Sequence, residues 1–455
     1  MSRNMHKLAV RQQAKQKVVS PLAAYVNQTN GHNTTDEERL SETSGDTVDS
    51  WLSTGSRGVE FEEGVNWEDE LLESIEMLEE RRTSTREQGL SQLVRLMTHK
   101  YAASVLDSHQ DSLLDLLSKS IKKEKSYKEN QIAAKVMLLL FVTLGESRVS
   151  MYQSVMQLLK YTITNTASAE VKSACIKTLC LACFISASGM DAVELIGFFV
   201  QIIKTNGSSV NAPNDSLTIA AALKAYGLLY AGLWGDSKRN SHAAREEFDR
   251  IMPMHMIHLE SPSMDVRVAS GENIALMFET LKIGHDRATG EWGEASESDE
   301  DYEGSEDYED MDKLLELLNT LARDATRWRG KAERKTQRSV FRNISRTVEY
   351  GERVQLKLKI KKQPIFFSSW SKIHQLQAFR DILAEGLHVH FQENGLLQSL
   401  FDFEPEVNVI KSRPGSAMSL NTGGSDTDTG VSKGKRKFKK KRGKDNRMED
   451  LLRIG

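Results

Sequence analysis

The residues of this sequence best suited to chemistry are basic side chains at helical spacing near its C-terminal end. They follow one another in steps of three or four residues: Arg323, Arg327, Lys331, Lys335, Arg338, Arg342 and Arg346, with Arg334 beside them. On an α-helix, residues at such steps lie along one slowly drifting face. A continuous cationic face can follow the phosphates of a nucleic acid. We call this set the basic stripe and interpret it as a partner-binding surface.

Two simpler interpretations of the basic stripe stay open. Its residues can form an ordinary solvated face, or they can pair with the preceding acidic segment, since Glu291 to Asp312 contains 12 acids and no Lys or Arg. An acidic segment of this kind could also shield the stripe until a polyanion displaces it. The apolar residues of the same predicted helix lie mostly on another face, which is expected to dock onto the body: Val340, Phe341, Ile344 and Val348.

Further basic residues lie in a predicted strand and in the C-terminal tail. Polar and apolar residues alternate from Val354 to Lys361, which predicts a strand whose basic residues are Lys357, Lys359 and Lys361. Between Lys433 and Arg447 the tail has ten Lys or Arg and one acid. Its densest part comprises Lys435, Arg436, Lys437, Lys439, Lys440, Lys441 and Arg442. Such a cluster is typical of nuclear import, of nucleic-acid contact, or of a tail that only increases solubility. Since few aromatic or amide side chains accompany these residues, we expect contacts to phosphates rather than to base edges.

No arrangement of residues in the sequence supports catalysis or metal binding. It contains neither a phosphate-binding glycine loop nor a GxSxG nucleophile motif. Cys180 and Cys183 have CxxC spacing but lie inside an apolar helical pattern without a second pair, so buried thiols are the better interpretation. Two histidine pairs lack a nearby third ligand: His255 with His258, and His388 with His390. We therefore predict a protein that is not an enzyme and has no cofactor, no metal and no small-molecule substrate; an unrecognised active site is the remaining alternative.

The elements that must hold the basic residues form a repeating pattern. Five segments consist of a short polar loop followed by an apolar helical pattern, and their starts are 42, 42, 46 and 49 residues apart: Ser84, Ser126, Ser168, Asn214 and Ser263. Other helical patterns precede several of them. Helix pairs at this period are typical of HEAT and armadillo arrays, whose units stack because one unit cannot bury its apolar face alone. The alternative is an irregular helical bundle.

The predicted fold class is all-α: an armadillo- or HEAT-like helical solenoid with a small C-terminal α+β unit and disordered termini. The predicted divisions are 1–64, a disordered N-terminal arm; 65–286, armadillo-like helical repeats; 287–312, an acidic disordered loop; 313–350, a basic helical segment that closes the repeat body; 351–410, a small C-terminal domain; and 411–455, a basic disordered tail. Within the C-terminal domain, a second strand is expected at Ile365–Trp370 and helices at Ile373–Leu387 and Asn394–Phe401.

The cysteines and the apolar runs indicate the compartment. The three cysteines lie within nine residues of one another (Cys175 to Cys183), which suits a reducing compartment rather than a disulfide framework. The N-terminus lacks the apolar region of a secretory signal. The longest apolar run, Ile132 to Gly145, is interrupted by Lys135 and is shorter than the roughly 20 residues of a spanning helix. We predict no membrane-spanning helix, no membrane partner, a monomer, and a cytoplasmic and nuclear location.

Three segments of the sequence together resemble the interferon-related developmental regulator family. RKTQRSVFRNISRTVE (Arg334 to Glu349) resembles the signature of that family, as does IFFSSW with the helical segment from Gln375 to Pro405. VRVASGENIALMFE (Val266 to Glu279) is similar to the last repeat helix of the family. The resemblance extends roughly from Trp67 to Glu406. It implies an armadillo-like helical body with a short C-terminal domain and no catalytic activity, and only the basic stripe is carried over as a contact surface.

The resemblance also implies two functions. The first is binding to translationally inactive ribosomes, with C-terminal helical elements in the tRNA and mRNA paths. We therefore predict a ribosome-associated translational repressor that acts by steric occlusion, its basic residues contacting ribosomal RNA. The alternative is a nuclear transcriptional co-regulator, an adaptor that bridges transcription factors and deacetylase co-repressor complexes. In that case the solenoid would bind protein segments, and the tail cluster would serve nuclear import.

Overall fold

Paired helices build the repeat region, as the 42- to 49-residue spacing predicts. The computed structural model describes residues 66–405 apart from 124–125, 147, 236–240, 284–307, 324–330 and 362. The repeat helices are α1 (Trp67–Glu76), α2 (Thr83–His99), α3 (Ala103–Lys122), α4 (Tyr127–Leu144), α5 (Val149–Asn165), α6 (Ala169–Ser186), α7 (Gly189–Lys204), α8 (Ser216–Trp234), α9 (Ser241–Leu259) and α10 (Met264–Leu281). Helices α2, α4, α6, α8 and α10 start within two residues of the five predicted starts. The predicted helical solenoid is therefore confirmed.

Polar side chains at the repeat loops fix where these helices begin. The hydroxyl of Ser126 accepts a hydrogen bond from the backbone N–H of Glu129, and Ser168 does the same for Val171. The carboxylate of Asp215 accepts from the N–H of Thr218 at 2.8 Å. The first N–H groups of a helix have no acceptor within the helix, so these side chains accept hydrogen bonds from N–H groups that would otherwise be unsatisfied.

The helices lie in two rows. Helices α2, α4, α6, α8 and α10 pack one against the next and form the central row, and each also packs against the helix that precedes it in the chain, which belongs to the outer row. Side chains join neighbouring central helices by bonding to their backbones. The Thr178 hydroxyl donates to the Ala134 carbonyl at 2.8 Å, and the Asn273 amide donates to the Leu223 carbonyl at 2.9 Å. The central row is therefore a continuous layer.

The chain continues through α11 (Met311–Arg323), α12 (Lys331–Tyr350), β1 (Leu356–Ile360), β2 (Gln363–Phe367), α13 (Trp370–Leu383), α14 (Leu387–Glu393) and α15 (Gly395–Leu400). Helix α12 packs on α10 and extends the central row, and α11 packs on α12. The end of the predicted acidic loop is part of the fold. Tyr308 contacts the rings of Phe248 and Phe278 edge-on, at centroid distances of 5.7 and 6.3 Å, and Met311 begins α11.

The C-terminal elements differ from the prediction in their bounds. Strand β1 starts two residues later than the predicted strand, and β2 starts at Gln363, so that Pro364 pairs with Lys359 inside an antiparallel hairpin. The predicted helix Ile373–Leu387 instead spans Trp370–Leu383 and gives way to a 3₁₀ turn at Ala384–Gly386, where Ala384 has a positive φ of 44°. The short helix α14 was not predicted.

Residues 370–403, which we call the strap, lie along the central row. The backbone N–H of Trp370 donates to the Glu279 carboxylate of α10 at 2.6 Å. At the other end, a ring nitrogen of His390 lies 3.0 Å from the Met97 carbonyl of α2, and the Asn394 amide donates to the Val142 carbonyl of α4 at 2.9 Å. The strap thus belongs to the same compact unit as the repeats, a unit that ends at Pro405.

Because the strap and the outer row both cover the central row, its helices are apolar on nearly every side. Helix α8 shows this most clearly, since Ser216–Trp234 is long and apolar enough to cross a membrane by length and composition, yet 72% of that stretch is buried inside the fold. A core helix meets the same criteria, and burial between helices accounts for its composition. Cys180 and Cys183 are buried free thiols in the same layer, as predicted, and Cys175 is buried there too.

Candidate nucleic-acid interface

Helix α12 is held in place by its apolar face. Phe341, Ile344 and Val348 are fully buried, and Val340 is nearly so. A Cβ atom at Gly271 of α10 would come within 2.9 Å of both Phe341 and Ile344, so the glycine lets the two helices approach closely. The predicted docking face of α12 is therefore confirmed.

The opposite face of α12 presents the described part of the basic stripe to solvent. Lys335, Arg342 and Arg346 are exposed, and Arg338 is half-buried. The Arg346 guanidinium lies 3.9 Å from the Glu352 carboxylate, and both side chains are more than half exposed. An ion pair this exposed stabilises the fold little and is easily exchanged for another anion.

The hairpin of β1 and β2 continues the basic surface. Lys357, Lys359 and Lys361 point away from the core, whereas Leu358 and Ile360 between them are buried. The alternation that predicted the strand is thus realised as one lysine face and one apolar face. The Lys361 ammonium donates to the Gln392 side chain of α14 at 3.1 Å, which connects the hairpin to the strap.

An aromatic side chain lies among these lysines. Phe366 on β2 pairs with Lys357 on β1, and its side chain is 71% exposed. The Lys357 ammonium lies 5.7 Å from the centre of the ring. A large exposed phenyl ring beside ammonium groups offers both a stacking surface and phosphate contacts, the combination that proteins use for single-stranded nucleic acids.

Hydrogen bonds hold the hairpin to the end of α12. The Trp370 indole N–H donates to the Thr347 hydroxyl at 2.9 Å, and that hydroxyl donates to the Glu352 carbonyl, also at 2.9 Å. Thr347 is buried and so binds both the start of the strap and the turn that leads into β1. The basic face of α12 and the lysines of β1 therefore belong to one supported segment.

The structure describes the other predicted contact residues only in part or not at all. Arg323 is exposed at the end of α11, and Lys331 and Arg334 lie in α12 with side chains outside the description. Arg327 lies outside the described residues, as do the tail residues Lys435, Arg436, Lys437, Lys439, Lys440, Lys441 and Arg442. The structure thus places Lys335, Arg338, Arg342 and Arg346 on one face of α12, and the three strand lysines on one face of the hairpin.

Phe366 was missed by reasoning from sequence. The run Ile365, Phe366, Phe367 is apolar throughout, so it does not show which ring faces the core. Only the register, in which Lys357 is opposite Phe366, places that ring on the lysine face. The signal available in the sequence was the alternation of β1, which assigns a face to each residue of β2 once Ile360 is known to pair with Gln363.

Among the residues that the structure describes, no group of three or more His, Cys, Asp or Glu is placed to hold a metal ion. The histidines of the predicted pairs mostly bond to neighbouring groups. His255 lies 3.0 Å from the Ser270 hydroxyl, and His258 lies 3.2 Å from the Ile203 carbonyl. Burial lowers the pKa of His255 to about 3 and that of His390 to about 4, so both rings are neutral at physiological pH.

Comparison with known proteins identifies relatives that share most of the chain. A model of the family described as interferon-related developmental regulator matches residues 36–349. The mouse protein named interferon-related developmental regulator 2 is 29% identical over 350 residues, which cover 75% of this chain and 74% of the relative. Mouse interferon-related developmental regulator 1 is 27% identical over 349 residues, covering 73% and 71%. An uncharacterized protein of Schizosaccharomyces pombe is 25% identical over 361 residues, covering 76% and 77%.

Proposed function

The chain belongs to the interferon-related developmental regulator family, and on that premise we propose that it represses translation by binding ribosomal RNA, without catalysis. Bound ribosomes would be inactive because the protein occupies a site that another molecule needs. A mechanism of this kind requires a shaped basic surface and no reactive groups. The proposed partner is the ribosome, and the proposed location is the cytoplasm, with a nuclear fraction directed by the tail cluster.

One observation carries the proposal: α12 and the hairpin form a single supported segment whose solvent face is cationic. Between Lys335 and Lys361 the sequence has eight Lys or Arg and two Glu. Six of these basic residues lie in α12 or β1, and Arg353 and Lys361 flank β1. Charges held on secondary structure lose less entropy when they bind phosphates than charges on a loop. Binding through such contacts weakens steeply as salt rises.

Phe366 gives the proposed contact a preference for unpaired nucleotides. A phenyl ring can stack on any exposed base, whereas a base in a duplex is already stacked. Ribosomal RNA offers such unpaired bases in loops and bulges. The proposed contact is therefore a stacked base on Phe366, with phosphates on Lys357, Lys359 and the arginines of α12.

The proposal is tested by sedimentation of lysates through sucrose gradients at low and high salt. The test variant reverses three exposed charges: Arg342→Glu, Lys357→Glu and Lys359→Glu. The matched control reverses three exposed lysines elsewhere on the repeats: Lys122→Glu, Lys123→Glu and Lys204→Glu. We expect the intact chain and the control to co-sediment with ribosomes at low salt, and the test variant to stay at the top of the gradient.

Two outcomes would contradict the proposal. If the test variant sediments as the intact chain does, the contact does not involve this surface. If the intact chain stays at the top of the gradient even at low salt, ribosome binding is wrong and the nuclear co-regulator becomes the better proposal. Its own test is nuclear accumulation that depends on Lys435 to Arg442.

A further inference from the structure

Four consecutive helices of the central row carry a charged residue at the same position. Lys135 in α4, Lys177 in α6, Lys224 in α8 and Glu272 in α10 are each the ninth residue of their helix. Because the helices stack side by side, equivalent positions form a line across the row. We call Lys135, Lys177 and Lys224 the lysine ladder. These helices bury mostly apolar side chains, so the alignment of charged residues at one position needs a physical reason.

The strap supplies too little negative charge to neutralise the ladder. The Asp381 carboxylate of α13 lies 4.0 Å from the Lys177 ammonium and 3.9 Å from that of Lys224, so a single acid is shared at the limit of ion pairing. Lys135 has no acidic partner among the described residues, and its pKa is lowered by desolvation first and by the charge of Lys177 second. Glu272 is itself buried and accepts a hydrogen bond from Gln377.

An open cleft lies beside the ladder, between the central row and α13. Its volume is about 90 Å³, and Lys177, Lys224 and Asp381 line it together with mainly apolar side chains such as Leu138, Leu181 and Leu228. The Lys177 side chain is 47% exposed and that of Lys224 is 34% exposed, so solvent reaches part of each side chain. Since a cavity of about 150 Å³ holds benzene, this cleft has room for one aliphatic side chain.

We propose that the cleft binds an acidic peptide segment of a partner protein, with one aliphatic side chain in the cleft and carboxylates on the lysine ladder. Packed helices are about 8–10 Å apart, which sets the spacing of the ladder. In a polyproline II helix, residues three apart lie on the same face about 9 Å from each other. The matching ligand therefore has an acid at every third position and aliphatic residues between them.

The apolar lining favours a peptide over a nucleic acid or a free phosphate. A phosphate would have to enter a cleft whose walls offer few donors besides the two ammonium groups, and desolvating it there is costly. An aliphatic side chain fills the same walls favourably while its neighbouring carboxylates stay at the rim. The site lies on the central row beside the strap, and it does not depend on the RNA surface of α12 and the hairpin.

The experiment is fluorescence polarisation of the full chain with a labelled peptide of three Glu-Pro-Leu repeats. We expect saturable binding, which the control peptide with Lys in place of Glu lacks. The double variant Lys177→Gln, Lys224→Gln should weaken binding at least tenfold. The variant Asp381→Asn should strengthen it, because Asp381 competes with the peptide for both lysines. A merely structural role of these residues would weaken binding in both variants, and circular dichroism monitors folding.

Three results would overturn the inference: no saturable binding of the Glu-Pro-Leu peptide, equal binding of the Lys peptide, or Asp381→Asn weakening the complex. Displacement of the peptide by single-stranded RNA from the intact chain, but not from the variant with Arg342, Lys357 and Lys359 changed to Glu, would assign binding to the basic surface instead. The RNA proposal itself is unaffected by failure here, since the lysine-ladder variants should bind ribosomes as the intact chain does.

Discussion

Helices α10 and α12 are neighbours in the central row, yet they differ in how much of their surface is buried and in where their charged side chains lie. α10 is buried on almost all sides, and its charged residues Arg267 and Glu272 bond to side chains of α12 and α13. α12 buries one face and leaves Lys335, Arg342 and Arg346 exposed to solvent. The strap accounts for the difference, because it packs on α8 and α10 as it returns along the row. Burial by the strap thus accompanies specific side-chain partners for Arg267 and Glu272, whereas the exposed charges of α12 lie at the surface.

The first and largest test concerns the stability of the covered part of the row. Arg86 and Glu129 form a buried two-pronged ion pair between α2 and α4, with both N···O distances 2.7 Å. Glu129→Ala leaves a buried, unpaired guanidinium, which costs about 3–5 kcal/mol of unfolding free energy. Lys128→Ala, one residue earlier and exposed, should cost less than about 1 kcal/mol. Urea denaturation measures both, and similar values would show that burial does not set the cost of removing a charged side chain.

Within α12, substitutions at two adjacent residues should affect different properties, one the stability of the fold and the other the affinity for RNA. Phe341→Ala removes a fully buried ring from the contact with α10 and should cost about 3–5 kcal/mol. Arg342→Ala should change stability by less than about 0.5 kcal/mol and should reduce RNA affinity. Thermal unfolding and RNA titration of the two variants make the comparison. A strongly destabilised Arg342→Ala would mean that the exposed face also holds the fold.

The covered row should also have a pH dependence that α12 lacks. Burial raises the pKa of Glu272 from 4.5 to about 7, while the charge of Lys224 opposes the shift and that of Asp381 adds to it. Since the folded state holds this proton more tightly, stability falls as pH rises from about 4.5 to about 7. Relative to Glu272→Gln, the native chain should lose about 2–3 kcal/mol between pH 5 and pH 8. Urea midpoints at both pH values measure the loss, and parallel curves would contradict it.

The smallest effect concerns the hairpin. Phe366→Ala should weaken binding to single-stranded RNA by about 1–3 kcal/mol without changing its salt dependence, because stacking releases no counterions. Phe366→Tyr should preserve affinity, and duplex RNA should not distinguish the variants. Lys357→Ala should instead reduce the salt dependence. If Phe366→Ala binds single-stranded RNA as the native chain does, the ring is not a stacking surface.

The sequence contained the repeats but not the path of the strap. Capping residues such as Ser126 and Ser168 precede apolar runs at regular spacing, so local signals predicted the central helices closely. The docking face of α12 was predicted for the same reason. The strap depends on contacts such as His390 with Met97, which are 293 residues apart. Sequence periodicity does not predict such a contact. The lysine ladder could not be predicted either, because its proposed role depends on the strap that lies across it.

The return of the strap also has a consequence for how the molecule unfolds. In an open repeat array each unit contacts only its neighbours, so terminal units can melt separately and stability is nearly a sum of local terms. Here residues 370–403 tie α10 to α2 and thereby join the two ends of the array. Loss of an end repeat would therefore release contacts along the whole row. The described fold should therefore unfold in one cooperative step. It should refold slowly, because the strap must form before α2 and α4 gain their contacts with it.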